Sequence, residues 1–263
     1  MEIHFLNIFF VRQNQILLDN INISLDQNHY VILGPNGSGK TTLLNILSGH
    51  EWPSKGKCII KENQVLTTPP LFKDQMGIFL PKIADWILAF HPKMSVLETI
   101  CTGFYQQLGY YTEAKPHQID LAIELLKKYL PSLQEKHYYK SFHTLSTGEK
   151  YRTLLLRSIV KNPKILILDE PFENLDIKGR IEFEELLYEI SKYTSFIIIV
   201  LHRIEEIPSF VSKSILMKNG RIFRYGNIKD TLTSENLSEL YELPLDIQYH
   251  ENRYYAIIKS KRS

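Results

Sequence analysis

Gly34-Pro35-Asn36-Gly37-Ser38-Gly39-Lys40-Thr41 is the stretch from which the fold can be read. Gly34, Gly39, Lys40 and Thr41 satisfy the G-x-x-x-x-G-K-[ST] pattern, in which glycines let backbone N–H groups turn inward around a polyphosphate. In such a loop the Lys40 ammonium neutralises the β and γ phosphates, and the Thr41 hydroxyl is offered to Mg²⁺. A helix beginning near Gly39 points its positive end at the same anion. The candidate binding run is Gly34, Pro35, Asn36, Gly37, Ser38, Gly39, Lys40, Thr41 and Thr42.

The flanks give the loop its context. Tyr30-Val31-Ile32-Leu33 is a β-branched and aromatic run ended by Gly34-Pro35, and it reads as a buried strand. Beyond the loop, Leu43, Leu44, Ile46 and Leu47 fall at helical spacing until Gly49, which can cap the helix. A strand, a glycine loop and a helix in this order make a nucleotide site of an α/β fold the reading to test.

The second informative stretch is LSTGEKYRTLLLRSIVKNPKILILDEPFENLD, Leu145 to Asp176. Ser146 and Gly148 stand where a helix begins, so a hydroxyl and free N–H groups are available to an anion. The helix that follows offers Leu154, Leu155, Ile159 and Val160 to the core, with Arg152, Arg157 and Lys161 expected in solvent; Asn162-Pro163 ends it. Ile165-Leu166-Ile167-Leu168 is a continuous apolar run, as in a strand covered on both faces of a mostly parallel sheet. Asp169 and Glu170 close that strand, at the carboxyl end where open α/β sheets bind ligands.

This stretch resembles the ATP-binding cassette family, which places a signature of the LSGGQ type one helix before its Walker B strand. The resemblance implies a P-loop NTPase core with a mostly parallel sheet, an N-terminal antiparallel β subdomain and an inserted helical subdomain. It implies ATP and Mg²⁺ as ligands, the metal held by Thr41 and Asp169. Catalysis falls to Lys40, to Glu170 as general base on the attacking water, and to His202, the switch histidine that follows the apolar run Phe196 to Leu201. Ser146 and Gly148 meet the γ-phosphate, and Asp176 matches the D-loop aspartate. An adenine-stacking aromatic is expected near the N-terminus, at Phe9 or Phe10, with Phe10 the candidate. Where the family has its Q-loop glutamine, Met76-Gly77-Ile78-Phe79-Leu80-Pro81-Lys82 supplies Pro81 or Lys82, and Gln75 precedes the strand; no residue is assigned to that role.

The resemblance further implies a homodimer, or a paired cassette, because the P-loop and signature of one subunit do not grip the same nucleotide. Lys40 and Glu170 of one subunit would then face Ser146 and Gly148 of the other across two ATP molecules. An integral membrane permease is the expected further partner, with the chain cytoplasmic and peripheral on the inner face of the membrane. The contrary reading is a soluble stand-alone cassette ATPase with a regulatory or nucleic-acid-related role.

Other features bound these readings. The 263 residues carry 23% charged side chains and a net charge of +2, which gives no strong nucleic-acid signal. No apolar stretch approaches the roughly 18 to 20 residues that cross a bilayer, and MEIHFLNIFF lacks the pattern of a secretory signal. Cys58 and Cys101 match no zinc or CxxC spacing, as expected of a reducing compartment. Strands are expected up to about Asn28. A helical pattern follows between about Trp86 and Phe142, including the capping box Ser95-Val96-Leu97-Glu98 and a helix from about Pro116 stopped by Pro131. The expected organisation is a cassette over 1–226, with a helical subdomain at about 86–160, and a C-terminal appendage over 227–263. Trp86, Ile87, Leu88 and Phe90 offer either a docking surface or internal packing.

Overall fold

The computed structural model describes residues 1–105, 113–131 and 133–259. In chain order the strands are β1 (Glu2–Arg12), β2 (Gln15–Leu25), β3 (His29–Leu33), β4 (Lys55–Glu62), β5 (Val65–Thr67), β6 (Met76–Phe79), β7 (Ile165–Asp169), β8 (Phe196–Val200), β9 (Lys213–Lys218), β10 (Arg221–Asn227), β11 (Leu245–His250) and β12 (Arg253–Ile258). The helices are α1 (Lys40–Leu47), α2 (Lys82–Phe90), α3 (Val96–Cys101), α4 (Pro116–Tyr129), α5 (Thr147–Ile159), α6 (Ile177–Ser191), α7 (Ile228–Thr231) and α8 (Ser234–Tyr241). They form two compact units, Met1–Met76 with the chain from Ser195 onward, and Gly77–Thr194.

The first unit holds an antiparallel sheet in the order β2-β1-β4-β5. Period-two alternation makes it: Ile3 and Phe5 of β1 and Ile21, Ile23 and Leu25 of β2 are buried, while the residues between them face outward or are half-covered. Gln13-Asn14 joins β1 to β2 with φ of 48° and 64°, the left-handed pair that lets a two-residue turn follow the strand twist. Asn63-Gln64 and Asn219-Gly220 serve β4–β5 and β9–β10 in the same way.

The same unit contains β3 paired in parallel with β8 on one side and with β9 on the other, and β9 pairs antiparallel with β10. Tyr30 to Leu33 and all five residues of β8 are buried, which explains their unbroken apolar sequence. Tyr30 stacks on Phe196 with ring centroids 6.4 Å apart. Its hydroxyl donates to the Asp26 carboxylate, joining the start of the β2–β3 turn to the strand that leads into the glycine loop.

In the second unit β7 pairs with β6, and Ile165 to Leu168 are buried. Gly77 in β6 has a packing reason: a Cβ there would lie 2.1 Å from the Ser158 carbonyl of α5. Helices supply the rest. Ser95 and Glu98 close the expected capping box, with Glu98 N–H donating to Ser95 Oγ at 3.1 Å and Ser95 N–H to Glu98 Oε2 at 2.7 Å. α4 begins at Pro116 and ends at Tyr129, two residues before Pro131.

The expectation that Arg157 faces solvent is corrected. Arg157 is 7% exposed and its Nε donates to Thr102 Oγ1 at 2.8 Å; burial pulls its guanidinium pKa down to about 10. From Thr153 to its end at Ile159 α5 is buried on every side, so its polar positions there have no solvent face to occupy. Arg152, on the preceding turn, is mostly covered and pairs with Glu182 of α6 at 2.7 Å.

Candidate nucleotide site

The phosphate loop lies between the carboxyl end of β3 and the first turn of α1. Two glycines are required by contact. A Cβ on Gly34 would sit 2.2 Å from the Met217 carbonyl of β9, and one on Gly39 2.7 Å from Leu18 Cδ2 and 2.8 Å from the Leu17 carbonyl. Gly39 also has φ of 99° and stands at the N-cap of α1, so it delivers the helix start at an angle that side-chain-bearing residues rarely adopt. Asn36 and Gly37 are exposed, whereas Ser38 and Lys40 are buried.

Lys40 is 5% exposed, and its Nζ donates to the Gly34 carbonyl at 2.8 Å and the Pro35 carbonyl at 3.1 Å. The ammonium is thereby folded back over its own loop. Ser38 Oγ is buried and has no hydrogen-bond partner among the described residues. A buried orphan hydroxyl inside a glycine loop fits a site built to receive an anion. Thr41 is exposed and Thr42 half-buried at the start of α1.

His202 lies in the same unit as the loop. Leu201 N–H donates to the Ile32 carbonyl at 3.2 Å, extending the β8–β3 pairing by one residue, and His202 follows it, exposed. The histidine therefore leaves β8 at the same edge at which β3 releases the phosphate loop. Phe10 is 8% exposed on the buried face of β1, and the Arg12 guanidinium stands 5.5 Å from its ring centroid. Phe9, the alternating neighbour, is half-buried.

In the second unit Asp169 is the last residue of β7, and Asp169 and Glu170 are both half-buried. Glu170 has φ of 52°, a left-handed conformation uncommon for a glutamate; the chain reverses there, and Glu173 N–H donates back to the Glu170 carbonyl at 3.2 Å. Strain of this kind concentrates at functional turns. Asp176 caps α6, its Oδ1 accepting from Gly179 N–H at 2.7 Å.

Ser146 is the N-cap of α5 and is exposed. Its hydroxyl donates to Glu149 Oε2 at 2.8 Å, its N–H reaches the same oxygen at 2.9 Å, and Glu149 N–H returns a bond to Ser146 Oγ at 3.3 Å. Gly148, half-buried, backs onto α6: a Cβ on it would meet the Gly179 Cα at 3.4 Å. Glu149 escaped the sequence reading as a partner of Ser146, although Ser146-Thr147-Gly148-Glu149 has the S-x-x-E form of a capping box. Ser146→Ala removes that cap. The variant is expected to lose about 1 kcal/mol of stability and to hydrolyse ATP more slowly, with unchanged ATP affinity in the isolated subunit; calorimetry and a phosphate-release assay check the two effects.

No glutamine occupies the place expected of the Q-loop. Leu80 and Pro81 there lead into α2, Pro81 as its N-cap, with Ile83 N–H donating to the Leu80 carbonyl at 3.1 Å and Ala84 N–H to the Pro81 carbonyl at 2.9 Å. Gln75 ends a 3-10 turn before β6. Among the described residues no group of three or more His, Cys, Asp or Glu is placed to hold a metal, and no helix is long and apolar enough to cross a membrane. Cys58 and Cys101 are free and buried, and burial pushes their thiols up to about 12 and about 11, so neither is a ready nucleophile.

Known proteins resemble this chain. The protein-family model described as ABC transporter matches residues 18–173. A Streptococcus mutans protein named as an ABC transporter ATP-binding protein is 32% identical over 249 residues, 92% of each chain. A Bacillus subtilis protein named as the ABC transporter ATP-binding protein YlmA is 30% identical over 255 residues, 94% of this chain and 93% of its own. Among solved structures, an ABC transporter described as of metal-chelate type, in an inward-facing conformation, shares the fold with a TM-score of 0.77 over 98% of both chains at 24% identity. A glycine loop, a signature turn and a carboxylate-ended strand in this order, joined to likeness along nearly the whole chain, make this protein an ATP-hydrolysing member of the ABC transporter ATP-binding family.

Proposed function

We propose that the chain energises a separate membrane permease, and that two cassettes close head to tail on two ATP molecules to do so. The observation that carries the ATP reading is the buried Lys40 ammonium held over a loop whose Ser38 hydroxyl has no partner among the described residues. In this reading Lys40, the loop N–H groups and the positive end of α1 bind the phosphates of ATP, and Phe9 stacks on the adenine, since Phe10, the first candidate, has its ring on the buried face of β1. Thr41 and Asp169 are the residues that would hold Mg²⁺, which would supply positive charge against the phosphates. Glu170 accepts the proton of the attacking water as its oxygen bonds to the γ-phosphorus. The bond to the β,γ-bridging oxygen breaks, and ADP and phosphate leave. His202 hydrogen-bonds the γ-phosphoryl oxygens.

The Ser146 hydroxyl and the Gly148 N–H of the opposite subunit complete each site, with Asp176 beside them. Closure by ATP and reopening after hydrolysis amount to a ligand-driven shift between two states. In domain terms, residues 1–226 make the cassette, with about 86–160 as its helical subdomain, and 227–263 make an appendage.

The permease reading is supported by α2. Ile83, Ala84 and Ile87 are buried, whereas Phe90 is 67% exposed and Trp86 meets the rings of Phe90 and His91 at a tilt, with centroids 5.5 and 4.8 Å apart. An aromatic cluster at an exposed helix end is suited to a protein partner. The chain would then sit at the cytoplasmic face of the membrane through that partner. Tagged Glu170→Gln protein isolated from its own cells with ATP in mild detergent is expected to bring down a multi-span membrane protein. Recovery of the cassette alone, or with soluble proteins or nucleic acid, would contradict the permease role while leaving the ATPase intact.

A further inference from the structure

The C-terminal helix α8 ends against the strand that backs the phosphate loop. Lys218, the last residue of β9, donates from Nζ to the Glu239 carbonyl at 2.7 Å and pairs with the Glu242 carboxylate at 2.9 Å. Met217, just before it, brings its carbonyl to the face of Gly34, and Gly220 N–H, just after it, donates to the Ser38 carbonyl at 3.1 Å. One strand end thus touches both the loop and the last turn of α8. Leu237 and Leu240, each 0% exposed, anchor that helix.

Tyr241 lies in this last turn, between the two residues that Lys218 holds. Its hydroxyl is buried and finds no hydrogen-bond partner among the described residues. Ser38 Oγ is orphaned in the same way, and it lies 2.8 Å from where a Cβ on Gly34 would be. Two buried hydroxyls without partners in one neighbourhood are costly, since each forfeits the bonds it would make to water. A second arrangement of the loop that engages them gives both a reason. Burial raises the Tyr241 phenol to about 12; the nearby Gly34 backbone N–H opposes that rise and the Glu205 charge adds to it. The Gly34 N–H is thus a donor already turned toward the phenol oxygen, short of a full hydrogen bond.

We propose that Tyr241 is a positioning residue of the nucleotide site: its hydroxyl accepts from the Gly34 backbone N–H when polyphosphate fills the loop, giving α8 a share in nucleotide affinity. The inference rests on the reading of residues 34–42 as the ATP cradle. It assigns a task to a segment in which the sequence shows no chemistry of its own.

Tyr241→Phe keeps the ring and removes only the oxygen. The thermal midpoint measured without nucleotide is expected to rise, because a buried orphan hydroxyl is gone. Under titration calorimetry the Kd for ATP and for ADP is expected to rise about threefold to tenfold, the span of one lost hydrogen bond. In turnover KM rises while kcat stays within about twofold, as for an interaction made equally in the ground and transition states. Nucleotide affinity equal to the parent's in folded Tyr241→Phe overturns the inference, whatever its thermal midpoint, and so does a fall in kcat at unchanged affinity. Lys40→Ala measured alongside separates the two levels. Should it bind ATP as the parent does, the cradle reading falls and this inference with it; should it bind weakly while Tyr241→Phe binds normally, only the role of Tyr241 is lost.

Discussion

Glu170→Gln is expected to bind ATP with the parent's affinity and to lose turnover by about 10²- to 10⁴-fold, the span that a positioned general base contributes. The exchange is nearly isosteric, so the left-handed turn at φ 52° and the bond from Glu173 N–H to the Glu170 carbonyl, both backbone features, remain. What changes is that an amide cannot take the proton of the attacking water. Binding is untouched because the loop and its ammonium belong to other residues. A single-turnover assay beside nucleotide titration reads the two effects apart, and hydrolysis at the parent's rate would remove Glu170 from the base role.

Lys40→Ala carries the second large effect, in the opposite place. The ammonium is 5% exposed and donates to the Gly34 and Pro35 carbonyls, so it is held over the loop before any phosphate contact is made. Hydrogen bonds to charged groups are worth about 1.5–3 kcal/mol, which converts to a loss of about 10- to 10²-fold in ATP affinity. The variant also frees two loop carbonyls, which adds to the loss. Fluorescent nucleotide titration checks it, and normal affinity would contradict the cradle assignment of the whole run from Gly34 to Thr42.

These expectations rest on features of unequal legibility. The strand, glycine loop and helix around Lys40 could be read because a buried parallel strand writes an unbroken apolar run and the loop needs glycine where Met217 and Leu17 approach. Capping at Ser95 was equally readable, since the S-x-x-E spacing is itself the hydrogen-bond pattern. Arg157 was not, because helical periodicity assumes a solvent face and α5 has none along its second half. The neighbourhood of Tyr241 was out of reach for another reason. Long-range ties such as those from Lys218 to Glu239 and Glu242 hold the end of α8 to the strand beside the loop, and nothing local in the sequence encodes them. At Phe9 and Phe10 alternation shows that the two rings take opposite faces of β1, but the strand pairing decides which face is buried.

On the proposed function, ATP joins two of these chains across shared sites. The most direct test is the solution mass of Glu170→Gln by light scattering with Mg²⁺ and ATP, with ADP, and with Ser146→Ala added. Twice the subunit mass is expected with ATP, the subunit mass with ADP, and loss of the ATP-dependent pair when Ser146 is changed. A subunit mass under every condition, or a pair indifferent to both nucleotide and Ser146, would contradict it.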